Sequence, residues 1–170
     1  MTARIFISYR SADGADKATA LARDLGRHFG DAQVFLDKDD LRGGSVWRRE
    51  VSRTLKRQPV LLLLITPQLF GARDDQGRRL VERPDDPVRR EVEAALGHGA
   101  ALIPVLCDGV AALDQLGALP PPFDRLGERT WRRLRAFDWA KDVRRLIDDL
   151  QEHGLRPAGR GRRVWLAGAA

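Results

Sequence analysis

Residues 59–67 read Pro-Val-Leu-Leu-Leu-Leu-Ile-Thr-Pro, the most apolar run in the chain. A run of this length, bounded by Pro59 and Pro67 and lacking polar alternation, predicts a central strand over 59–65, buried on both faces as in a parallel sheet. Working outward, Arg4-Ile5-Phe6-Ile7-Ser8 is a second short run rich in β-branched and aromatic residues, and residues 33–36 form a third that ends at Asp37. Residues 100–106 predict another buried strand, and 131–137 a last, weaker one. Helical spacing separates these runs. Ala18, Leu21, Ala22, Leu25 and Phe29 recur at that spacing from about 15 to 29, after Ser11, Asp13 and Gly14 as turn and cap residues, and Gly30 closes the segment. Trp47, Val51, Thr54 and Leu55 mark a second helix. Asp85-Asp86-Pro87 has the form of a helix start, with acidic caps and proline at the first position, and this helix runs to about His98 and stops at Gly99. Residues 138–153 carry Val143, Leu146, Ile147 and Leu150 on one face of a final helix. Residues 38–44 read as a charged loop, 69–84 as a long polar and basic loop, and 108–127 as irregular. Short apolar strands alternating with helices predict an α/β fold, an open parallel sheet with helices on both faces. Such sheets bind ligands beyond the carboxyl ends of their strands, here the segments 8–14, 37–44, 66–86 and 107–109.

The 170 residues, 32% charged and 43% hydrophobic, suit one ordinary globular domain rather than a disordered or collagen-like chain. No stretch approaches the roughly 18 consecutive apolar residues of a spanning helix, and the opening MTARIFIS lacks the order of a secretory signal. Cys107 is the only cysteine, which excludes a disulfide within the chain and a cysteine-built metal site, and the expected compartment is the reducing cytoplasm. The net charge of +6 raises a nucleic-acid partner. Its local excess lies in Arg156, Arg160, Arg162 and Arg163, and elsewhere arginines alternate with Asp and Glu as on a solvated surface, so no nucleic-acid partner is expected.

Nucleotide-hydrolase phosphate loops, the three-glycine dinucleotide fingerprint and the Gly-x-Ser-x-Gly elbow are all missing. His28, His98 and His153 each fall near the end of a predicted helix, where the dipole favours them, and no metal spacing occurs. On a helical wheel Val88, Val92, Ala95 and Leu96 form an arc roughly 100° wide, with Glu91 just outside one edge. Two readings of Glu91 stand: a carboxylate at the crevice that contacts a ligand, or an acid stabilised by the helix N-terminus. Arg10, directly after a buried strand, reads equally as a phosphate clamp or as one of many surface arginines. Asp37, Asp39 and Asp40 read as a solvated loop before a cation site, and Trp47 and Cys107 as core residues.

Taken together, Ile5-Phe6-Ile7-Ser8-Tyr9-Arg10, then Val34-Phe35-Leu36-Asp37 with Leu41-Arg42-Gly43-Gly44 and Trp47, then Leu62-Leu63-Leu64-Ile65-Thr66-Pro67, Val88 to Leu96, and Ile103-Pro104-Val105 resemble, in order, the strands, the so-called BB loop and the catalytic-glutamate helix of TIR (Toll/interleukin-1 receptor homology) domains. The resemblance covers about residues 3–150, and the sequence style is bacterial. It implies a flavodoxin-like sheet of five parallel strands in the order 2-1-3-4-5. It also implies one of two functions. Many bacterial and plant members act as NAD+ nucleosidases, cleaving the nicotinamide–ribose bond to ADP-ribose or a cyclic ADP-ribose-type signal, in signal transduction or antiphage defence. Others are non-catalytic scaffolds acting by TIR–TIR contact. Carried over by position, Glu91 takes the catalytic place and Glu93 does not. Phe6, Ser8, Tyr9 and Arg10, with Asp37, Leu41, Gly43, Gly44 and Trp47, would line the substrate, Arg10 facing a phosphate or the adenosine half. NAD+ enters as substrate, with no cofactor and no metal. The partners implied are NAD+, a second copy and other TIR domains, and a neighbour's BB loop commonly completes the site. Loss of nicotinamide leaves an oxocarbenium-like ribose, which a carboxylate stabilises by accepting hydrogen bonds from ribose hydroxyls. Pro87 stands where NAD-cleaving relatives often carry an aromatic residue, so Phe35 or Trp47 would have to supply the stacking wall. Alanine at Glu91, at the edge of the apolar face, is expected to leave folding little changed.

The TIR domain is expected to span 1–153. Residues 154–170 form a basic, partly apolar tail, either a linker or the start of a membrane anchor, because arginines followed by Trp165, Leu166 and small residues resemble the cytoplasmic edge of a spanning helix. A membrane is a partner only if the chain continues beyond Ala170.

Overall fold

The computed structural model describes residues 4–36 and 45–159, apart from the side chains of residues 45–48 and 50. Strand β1 (Ile5–Ser8) divides the core in two, because successive side chains of a strand point to opposite faces. Ile5 and Ile7 pack with Ala18, Leu21, Leu25 and Phe29 of α1 (Ser11–Phe29) and with Val143, Leu146 and Leu150 of α5 (Trp139–Glu152). Phe6 faces the other way. It joins Leu55 of α2 (Ser45–Leu55), Leu69 and Phe70 of α3 (Pro67–Gly71), and Val88, Val92 and Ala95 of α4 (Pro87–Gly97). The central strand β3 (Val60–Ile65) is buried throughout and feeds both cores, Leu62 and Leu64 to one and Leu61, Leu63 and Ile65 to the other.

With β2 (Val34–Leu36), β4 (Leu102–Cys107) and β5 (Arg132–Leu134) the sheet has the order β2-β1-β3-β4-β5, and every pairing is parallel. All strand carboxyl ends therefore open on one side of the molecule. The five-strand α/β architecture and its strand order agree with the expectation.

Three expectations change. Helix α1 begins at Ser11, not near 15, with Arg10 as its N-cap residue. Asp13 does not cap it, because its carboxylate accepts from Thr66 Oγ1 at 2.6 Å and from Gln68 N at 2.9 Å, tying α1 to the start of α3. Gly14 lies inside the helix, where a Cβ would sit 3.4 Å from the Tyr9 side chain. The segment 69–84 is also more ordered than a long loop. Residues 72–80 form a hairpin closed by Leu80 N to Ala72 O (2.9 Å), and Asp74 Oδ1 accepts from Gln76 N and Arg78 N in its turn. Leu69, Phe70 and Val81 are buried and hold both ends. Finally, the packed chain runs past 153. Leu155 is buried, Arg4 Nη1 donates to Gly154 O at 3.0 Å, and Ala158 N donates to His28 O at 2.9 Å. Residues 154–158 thus lie across the amino end of the sheet, the end opposite the strand carboxyl termini. Residues 160–170, which hold the rest of the tail, lie outside the described residues, and among the described residues no helix is long and apolar enough to cross a membrane.

Candidate active site

Helix α4 starts at the strand carboxyl ends because Asp86 caps it, its Oδ2 accepting from Arg89 N at 3.0 Å, and Pro87 fixes the first turn. One turn further on, Glu91 is turned inward. It is only 5% exposed, buried alongside Val88, Val92 and Ala95. The buried face of α4 is therefore shifted from the apolar arc, taking in Glu91 while Leu96 is only half-buried, and the facing strand shows why. Ser8, the last residue of β1, shares the Phe6 face and donates its hydroxyl to Glu91 Oε2 at 2.5 Å. Glu93 points outward and pairs with Arg89 at 2.7 Å.

Two residues along, Arg10, the N-cap residue of α1, makes a second link, to the N-cap residue of α4. Its Nη1 lies 2.5 Å from Asp86 Oδ1 and its Nη2 lies 3.1 Å from Oδ2, a bidentate pair with side chains 9% and 2% exposed. Nη2 also reaches Leu69 O at 3.4 Å, and the buried Nε has no hydrogen-bond partner. Asp86, read from the sequence only as a helix start, is thus cap and counter-ion at once.

These groups border a cavity of about 350 Å³. Tyr9, Arg10, Ser11 and Ala12 form one wall at the junction of β1 and α1; Asp85, Asp86, Pro87, Val88 and Glu91 form a second; Ala72, Leu80 and Arg83, from the hairpin and the turn after it, form a third. Arg83 holds Asp85 at the rim at 2.7 Å, and this hydrogen bond keeps the Asp85 carboxyl below its ordinary value and raises the guanidinium.

The expected site residues therefore divide. Glu91, Tyr9 and Arg10 reach the cavity. Phe6 does not, because it is fully buried in the core, stacked on Phe35 with ring centroids 5.0 Å apart. That stacking also removes Phe35 as the wall for a ligand, and Tyr9 is the aromatic side chain that lines the cavity among the described residues. Ser8 is fully buried and spends its hydroxyl on Glu91, not on a ligand. Arg10 gives one N–H from each Nη group to Asp86, so its charge is already paired with a carboxylate in this structure, while its Nε has no hydrogen-bond partner. Asp37, Leu41, Gly43 and Gly44, and the side chain of Trp47, lie outside what is described. Burial pushes the Cys107 thiol up to about 12, so it is no nucleophile at neutral pH. None of the three histidines lines the cavity: His28 is in the last turn of α1, and His98 and His153 are the C-cap residues of α4 and α5. Among the described residues no group of three or more His, Cys, Asp or Glu could hold a metal ion.

The fold is similar to the TIR domains in the structure of the activated Roq1 resistosome directly recognizing the pathogen effector XopQ, with a TM-score of 0.56 and 12% identity over 86% of this chain and 98% of that one. Comparison with curated proteins gives no match. A family model described as the TIR domain matches residues 5–147, which take in all five strands and most of α5. The chain belongs to the TIR-domain family.

Proposed function

We propose that this domain cleaves the nicotinamide–ribose bond of NAD+, with Glu91 as the catalytic carboxylate. The observation that carries the reading is a glutamate 5% exposed, bordering a cavity at the strand carboxyl ends, its Oε2 fixed by a buried hydroxyl at 2.5 Å. A cavity of about 350 Å³ is at the small end for a ligand site. It suits the nicotinamide riboside half of the dinucleotide, with the diphosphate at the rim beside Arg83. The bond between the ribose anomeric carbon and the ring nitrogen breaks, and its electron pair leaves with nicotinamide, which departs neutral. The ribose left behind is cationic, and Glu91 stabilises it by accepting hydrogen bonds from its hydroxyls. Water then adds its oxygen to the anomeric carbon and releases a proton, giving ADP-ribose. An internal nucleophile in place of water gives a cyclic product from the same cation. Tyr9 supplies the aromatic surface that Pro87 cannot.

The Roq1 TIR domains belong to an assembly, and we extend association to this chain: copies meet through TIR–TIR contacts, and a neighbour's loop 37–44 completes the site. The test is release of free nicotinamide from NAD+, followed over a range of protein concentrations. Glu91→Gln should lower turnover by about 10²-fold or more, as for other lost electrostatic contacts to a transition state. No release by the wild type even when concentrated would favour the non-catalytic scaffold.

A further inference from the structure

We propose that Ser8 is a positioning residue for Glu91: its hydroxyl, offered from the end of β1, fixes the carboxylate in the orientation that meets the reacting ribose. This inference rests on the reading of Glu91 as the catalytic group.

Ser8 is fully buried, so it cannot touch a substrate in the cavity. It also occupies an apolar place. Alternation along β1 sets Phe6 and Ser8 on the same face, and Phe6 is core. A hydroxyl there is costly unless it is hydrogen-bonded. Its recorded partner is Glu91 Oε2, at 2.5 Å, within the range of a hydroxyl donating to an ionised carboxylate.

Glutamate has three side-chain torsions, and a catalytic one must be held in a single arrangement before the substrate arrives. Ser8 is well suited to do this because its own place is set by the sheet, where Ser8 pairs in register with Leu63 of β3. A separate tie stands beside it: Arg10 and Asp86, the N-cap residues of α1 and α4, two residues beyond Ser8 and five before Glu91, form their own bidentate pair. The Ser8–Glu91 bond is therefore not the only tie at this end of α4, and loss of the Ser8 hydroxyl leaves the Arg10–Asp86 pair in place. What the Ser8 hydroxyl contacts is the carboxylate itself.

The experiment compares Ser8→Thr with Ser8→Val, side chains of nearly the same shape that differ in the hydroxyl, and adds Ser8→Ala, which removes the hydroxyl without adding volume. Nicotinamide release from NAD+ is measured as kcat and KM, with thermal unfolding of each variant. Ser8→Val and Ser8→Ala should lose roughly 10–100-fold in kcat, the scale of a misplaced catalytic group, with KM little changed, and Ser8→Thr should recover most of the loss. Should the threonine and valine γ-methyl group not fit, the alanine variant decides alone. Equal kcat for Thr and Val variants that both unfold at the wild-type temperature, a wild-type kcat for Ala, or a loss confined to KM overturns the proposal. If Glu91→Gln abolishes release while Ser8→Ala does not alter it, this inference fails and the catalytic reading stands. If the wild type releases no nicotinamide, both fall.

Discussion

Glu91 and Glu93 are two residues apart on one helix and should respond oppositely to substitution. Alanine at Glu91 would leave the fully buried Ser8 hydroxyl without its acceptor and a void beside Val88 and Val92. An unsatisfied buried polar group costs about 1–3 kcal/mol, so the mild folding effect expected from the sequence does not hold for Glu91→Ala. Glutamine keeps an acceptor in place, and chemical denaturation should find Glu91→Gln the more stable of the two, with turnover still lost. Glu93 is an exposed partner of Arg89, and Glu93→Gln should change stability by less than about 1 kcal/mol and leave nicotinamide release unaltered. From the wheel and the Asp86-Pro87 start the sequence placed Glu91 at the edge of the buried face and left two readings of it open; only the resemblance to TIR domains pointed to a catalytic place. The sequence could not show the roles of Ser8 and Arg10. Their partners lie 83 and 76 residues away, on a helix whose docking against β1 no local pattern encodes. One usable signal was present: strand alternation placed a lone serine on the Phe6 face, where something polar had to meet it.

At the level of elements, the strands were legible because each is a short apolar run whose burial is its own reason for forming. The segment 69–84 was not, because its order comes from one aspartate side chain in a turn and from three apolar residues scattered among charges. The start of α1 was misplaced because Asp13 looks like a cap and serves a different helix. The joint between the starts of α1 and α4 offers a direct measurement. Asp86→Ala removes the counter-ion of a buried guanidinium and the cap of α4 together. Losing one partner of a buried pair costs about 3–5 kcal/mol, and the urea midpoint should fall accordingly. Asp86→Asn, which keeps an oxygen for Arg89 N, should lose less. A second joint contributes to stability against acid. Asp142 of α5 is buried and accepts from Arg135 N, Nε and Nη2 at 2.9–3.0 Å, and chiefly the Arg135 side chain holds its carboxyl below the ordinary value. The unfolded chain then binds this proton more tightly than the folded one. The stability it contributes is complete above the unfolded pKa of about 3.9 and is lost as pH falls through the lower folded value. Asp142→Asn should flatten that part of the acid unfolding curve and leave its slope above about pH 5 unchanged.

For the whole molecule, association of the proposed kind would make activity depend on concentration. Wild-type turnover per molecule should rise steeply over the range in which light scattering detects assembly, and Gly43→Pro, in the loop a neighbour would contribute, should remove that rise. Turnover flat across that range would rule out a shared site. The placement of residues 154–158 has a consequence of a different kind. They cross the sheet at its amino end, where Arg4 donates to Gly154 O and Ala158 N donates to His28 O, so Arg4 and Ala158 both sit at the end opposite the strand carboxyl termini. The domain has a base and a mouth. A tether joined at Arg4 or just after Ala158 therefore leaves from the base, at the end away from Glu91's cavity.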